Sequence, residues 1–62
     1  MPFISVRMLE GRDQEQKKKL VKSITDVMET VCGADPQHVH VVIEEVPKDS
    51  WARGGVMASD RA

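Results

Sequence analysis

Sixty-two residues carry nine Lys plus Arg against ten Asp plus Glu, two His and a single cysteine, Cys32. The near balance of charge gives no electrostatic footprint for nucleic acid or an anionic membrane, and no apolar run approaches the ~20 residues of a membrane span. A chain this short hides only ~60% of the surface its unfolded form exposes, and one cysteine closes no internal disulfide, so self-association is the expected source of added stability.

From Phe3 to Met8 the residues alternate, with Ile4, Val6 and Met8 on one side and Phe3, Ser5 and Arg7 on the other, which predicts a strand with one covered face. Glu10, Gly11 and Arg12 break the pattern, and Asp13 followed three places later by Gln16 reads as a capping box that starts a helix. Leu20, Ile24, Val27, Met28 and Val31 recur at three- and four-residue spacing as its apolar stripe, opposite Lys18, Lys22, Asp26 and Glu29. The run Lys17, Lys18 and Lys19 reads as a solvated helix face, and Gly33 supplies the left-handed stop.

After the loop-like Asp35-Pro36-Gln37, residues His38 to Val46 are rich in β-branched types and predict a second strand, with Val39, Val41 and Ile43 facing one way. Strand, helix and strand make a β-α-β unit with parallel strands and a right-handed crossover. Beyond Pro47 the periodicity ends, and Trp51, Arg53 and the Gly54-Gly55 pair point to a short hairpin or an arm reaching a neighbour. The fold class is therefore α+β, with residues 1–62 forming one domain. One helix covers one sheet face, which leaves the side bearing Phe3, Val42 and Val46 to be buried by sheet packing across an oligomer. Such packing would place each amino terminus near residues of other chains. The first segment has neither the charged start nor the cleavage site of a signal peptide, and a lone cysteine agrees with a reducing compartment, so a cytoplasmic protein is expected.

The chain has no Ser/His/Asp arrangement, phosphate-binding glycine loop or zinc signature. His38 and His40 lie two apart on the predicted strand and so share a face, but without a third ligand they make a poor metal site, and none is expected. The unusual feature is the start. Methionine is generally trimmed before a small residue such as Pro2, and trimming leaves a secondary amine fixed at the head of a core strand. An ordinary α-amino group titrates near ~8, so modest depression by apolar surroundings makes much of it neutral and basic. Position alone favours the simpler role, a strand start where a missing amide proton does no harm.

The opening Met1-Pro2-Phe3-Ile4, the Leu9-Glu10-Gly11-Arg12 turn, the Glu15-Gln16-Lys17 helix start, the Val41-Val42-Ile43-Glu44-Glu45 strand and the Trp51-Ala52-Arg53-Gly54-Gly55 ending resemble 4-oxalocrotonate tautomerase in order and spacing over nearly the whole chain. The resemblance implies a β-α-β subunit with a terminal hairpin, dimers formed across the sheets, and a homohexamer of three dimers. It also implies an isomerase of aromatic degradation that uses no cofactor. In that family the terminal proline takes a proton from an anionic enol such as 2-hydroxymuconate and returns it to a distant carbon, giving the conjugated ketone.

Carried over by this resemblance, Pro2 is the general base. Arg12 grips a substrate carboxylate and draws electron density along the conjugated system, its alternative being a surface turn residue. Trp51 stands for the aromatic residue, typically phenylalanine, that walls the pocket, a role compatible with a place in the interface core. The chain departs from the family at His40, where muconate tautomerases carry a second arginine from another subunit; a shorter histidine forms no equivalent charged fork. Arg53, where an aliphatic residue is common, is a candidate replacement cation. Alternative readings are a hydratase or dehalogenase of an unsaturated acid on the same scaffold, or a non-catalytic oligomer binding an anion or partner protein.

Overall fold

Alternating side chains produce the first strand, β1 (Phe3–Leu9), and a β-branched run produces the second, β2 (His40–Val46). In the computed structural model, which describes residues 1–61, the two pair in parallel from Phe3 opposite His40 to Leu9 opposite Val46. Their connection is the helix α1 (Gln14–Cys32). Asp13 caps it as expected: its Oδ1 accepts from the Gln16 amide at 2.8 Å, while the Gln16 side chain accepts from the Asp13 amide at 3.1 Å. Gly33 ends it in the left-handed region at φ 68°, its amide donating to the Glu29 carbonyl at 3.0 Å. Among the described residues no helix is long and apolar enough to cross a membrane.

Ile4, Val6 and Met8 of β1 and Val41 and Ile43 of β2 are half-buried on the side of α1, where Leu20, Val21, Ile24, Thr25 and Met28 are half-buried in turn. A salt bridge ties the two layers, with Lys17 Nζ 2.7 Å from Glu45 Oε1. Lys17 thus departs from the solvated face expected for it; its side chain is only 20% exposed, because its long stem lies along apolar surface while its charge finds an acid on β2. Lys18 and Lys19 are exposed.

Two other expectations need correction. Val27 and Val31 do not pack on the sheet: they are 57% and 75% exposed. The apolar stripe spans more of the helix circumference than two strands can cover, so its flank overhangs the free edge of β1. An apolar groove of about 330 Å³ follows, lined by Ile4, Ser23, Ile24, Val27 and Met28. The second strand also begins later than predicted. Pro36–His38 form a 3-10 turn, initiated by Asp35 accepting from the Gln37 amide at 3.0 Å and by the preset φ of Pro36. His38 is therefore not on the strand with His40, and the shared face that invited a metal reading does not exist.

The chain closes with the expected hairpin, β3 (Ala52–Arg53) and β4 (Val56–Met57), between 3-10 turns at Lys48–Ser50 and Ala58–Asp60. Gly54 and Gly55, with φ of 60° and 82°, supply the two positive angles that a two-residue turn of this twist requires.

No side chain among the described residues is fully buried, and the open sheet face leaves Phe3 66% and Val42 46% exposed. The radius of gyration is 14.7 Å, against roughly 11 Å for a compact chain of this length. The fold is a flat half of something thicker. Because the helix is the only layer over the sheet, its start should matter for stability. Asp13→Ala is expected to cost about 1 kcal/mol, read as a lower urea midpoint at fixed protein concentration.

Candidate active site

Pro2 sits just ahead of β1, half-buried, and its carbonyl accepts from the His40 amide at 3.0 Å. That bond continues the β1–β2 ladder by one step, so residue 2 is held although it lies next to the terminus. His40 opens β2 opposite Phe3, on the open face of the sheet with Phe3 and Val42, and is exposed. These two candidates therefore share the amino-terminal end of the parallel pair.

Arg12 belongs to the other end. The Glu10 amide donates to the Val46 carbonyl at 3.0 Å, which fixes where the chain leaves the sheet, and Gly11 turns at φ 133°, where a side chain would be strained. Arg12 follows, exposed, immediately before the helix cap. Among the described residues its guanidinium has neither an ion pair nor a hydrogen bond. The seven residues of β1 place it about 20 Å from Pro2.

Trp51 and Arg53 are brought together. With Leu9, Ala58 and Arg61 they line a pocket of about 190 Å³ between the end of β1 and the hairpin. The Trp51 carbonyl accepts from the Ala58 amide at 2.7 Å, closing the base of the arm. Arg61 Nη2 donates to the Arg53 carbonyl at 2.7 Å. Arg61 was missed in the sequence, where it stands eight residues from Arg53. The Gly54-Gly55 turn was the available signal, since a chain reversing there returns its tail to the hairpin's start.

Within one chain, then, the Pro2 end and the arginine-bearing end lie apart. Pro2 and His40 form one group, Trp51, Arg53 and Arg61 the other, and Arg12 lies off the same end of β1 as the second group. A conjugated acid of six carbons is too short to touch both groups of a single copy.

Comparison with known proteins shows the family. Residues 2–61 match the family model described as tautomerase enzyme. A probable tautomerase of Staphylococcus epidermidis is 51% identical over 61 residues, covering 98% of this chain and 100% of the relative. Among solved structures, a 4-oxalocrotonate tautomerase homologue superposes with a TM-score of 0.95 at 39% identity, covering 100% of this chain and 98% of the other. A heterohexameric 4-oxalocrotonate tautomerase from Chloroflexus aurantiacus gives a TM-score of 0.92 at 29% identity, with both chains fully covered. The open-faced β-α-β fold, the hairpin arm and the match that begins at Pro2 lead to one conclusion: this chain belongs to the tautomerase family of enzymes.

Proposed function

We propose that the protein is a cofactor-independent cytoplasmic tautomerase that converts an anionic 2-hydroxydienoate, or a related enol, to its conjugated ketone, with Pro2 as the proton carrier once Met1 is removed. The observation that carries this reading is the anchoring of residue 2 by the 3.0 Å bond from the His40 amide to its carbonyl. A terminal secondary amine held in this way keeps its lone pair in one place. With Met1 attached, the same nitrogen is an amide and has no basicity.

In the reaction the Pro2 nitrogen takes the enol hydroxyl proton. The O–H electron pair becomes the C=O π bond, the adjacent C=C shifts along the chain, and the far carbon of the diene takes the proton back from the proline ammonium. Atoms and electrons balance without an oxidant, a reductant or a metal. Arg12 binds a carboxylate and stabilises negative charge as it moves along the conjugated system. Trp51 walls the site and keeps water from the amine, which favours its neutral form. His40 offers a hydrogen bond where related enzymes use an arginine from another subunit, and Arg53 supplies a cation from the arm.

The roughly 20 Å between Pro2 and Arg12 along β1 implies that a working site draws Pro2 from one copy and Arg12, Trp51 and Arg53 from another. Two uncovered surfaces support such an assembly, the sheet face of Phe3 and Val42 and the groove flanked by Val27. We propose a homo-oligomer, a hexamer of three dimers, in keeping with the hexameric relative from Chloroflexus aurantiacus.

Pro2→Ala, with removal of Met1 verified by mass, should lower kcat for 2-hydroxymuconate by roughly 10²-fold or more, since a positioned proton carrier contributes at least that. Undiminished turnover would contradict the mechanism. His40→Arg should raise kcat/KM for the dicarboxylate by roughly tenfold, through a bidentate contact that histidine cannot make. The change should be much smaller for enol phenylpyruvate, which has a single carboxylate; equal gains on both substrates would separate His40 from carboxylate selection.

A further inference from the structure

Arg53 and Arg61 line the same pocket of about 190 Å³, and no carboxylate among the described residues lies within ion-pair distance of either. Two arginines on one small concavity bring like charge to it, a cost that an anion bound between them relieves. The rest of the lining is apolar or aromatic: Leu9, Ala58 and Trp51, the only tryptophan of the chain, left 36% exposed. Two cationic residues beside an apolar and aromatic lining are complementary to one kind of ligand, a flat anion.

The backbone prearranges both arginines. Gly54 and Gly55 reverse the chain so that Ala52 pairs with Met57 and Arg53 with Val56, and the turn at Ala58–Asp60 then swings Arg61 back. The 2.7 Å bond from Arg61 Nη2 to the Arg53 carbonyl fixes the Arg61 side chain before any ligand arrives, and its remaining N–H groups are available to one. Ordering a long side chain in advance lowers the entropic cost of binding.

We propose that this pocket is a carboxylate subsite in which Arg53 and Arg61 together hold the anion and Trp51 packs on a flat unsaturated group attached to it. For the reaction the proposal rests on the tautomerase reading above; for the binding it does not. It moves the missing second cation from the position of His40 to the carboxy-terminal arm, and it gives Arg61 two tasks, as a charge and as the clamp that positions Arg53. The favoured substrate is an unsaturated acid whose carboxylate reaches the arm while its enol reaches Pro2 of another copy.

Benzoate is a suitable probe because it is flat, anionic and inert to tautomerisation. Titrated into the intact protein, it should bind saturably by calorimetry and shift the fluorescence of Trp51, while uncharged benzamide should bind at least roughly tenfold more weakly. Arg53→Gln should raise the Kd for benzoate by roughly tenfold or more, and Arg61→Gln by a similar factor, since each removes a charge-assisted contact. Arg53→Lys should recover part of the loss. The Arg53 variants are decisive even if Arg61→Gln loosens the tail, because the clamp uses the backbone carbonyl of residue 53 and survives a change of its side chain.

An absence of saturable benzoate binding, or equal Kd values in the wild type and both glutamine variants, overturns the subsite whatever the enzyme turns over. Turnover undiminished in Pro2→Ala removes the proline mechanism and leaves the benzoate result standing, so the two failures are distinguishable.

Discussion

A two-stranded sheet covered by one helix has a second face that its own chain cannot bury, and this constraint governs the rest of the molecule. It explains why none of the described side chains is fully buried, and why Phe3 and Val42 stand in solvent although they belong to strands. The helix inherits the same shortage. Its apolar stripe extends past the edge of β1, leaving Val27 and Val31 without a partner. A chain built in this way reaches ordinary stability by adding copies of itself rather than by enlarging its core.

The separation of the candidate residues follows from the same geometry. Parallel pairing puts the starts of both strands together, so Pro2 and His40 are neighbours, while the exits from β1 and β2 carry Arg12 and the arm to the far end. On the proposed mechanism, the base and the cations of one copy serve different sites. Under that proposal activity is coupled to assembly, because a lone subunit holds the parts of a site without holding a site. The hairpin extends the coupling, since its contacts lie mainly with the turns that flank it and its pocket reaches back only to Leu9.

Local features were the most legible in the sequence. The reciprocal Asp13–Gln16 bonds, the left-handed Gly33 and the Gly54-Gly55 reversal each depend on residues within a few positions of one another, and each forms as read. Alternation located β1 to within one residue. The β-branched run suggests a start of β2 at His38, but Asp35 and Pro36 close a 3-10 turn through that residue and delay the strand to His40. The positions of Val27 and Val31 required knowing how wide the sheet is, and a helical stripe carries no such information. Lys17 found Glu45 across 28 positions and Arg61 found the Arg53 carbonyl around a hairpin, contacts that only the assembled backbone creates. Of the candidate site, Pro2 stands out by its position at the start of a strand, Arg12, His40 and Trp51 by family resemblance and Arg53 by departure from it, while their separation into two ends comes from strand direction.

A site shared between copies is tested most directly by mixing two inactive chains. Pro2→Ala and Arg12→Ala subunits, unfolded together, refolded and assayed with 2-hydroxymuconate, should regain roughly a quarter of wild-type activity, because half of the randomly formed pairs are mixed and each has one intact site. Mixtures no more active than the separate variants, although the subunits are shown by mass to have exchanged, would contradict a site divided between copies.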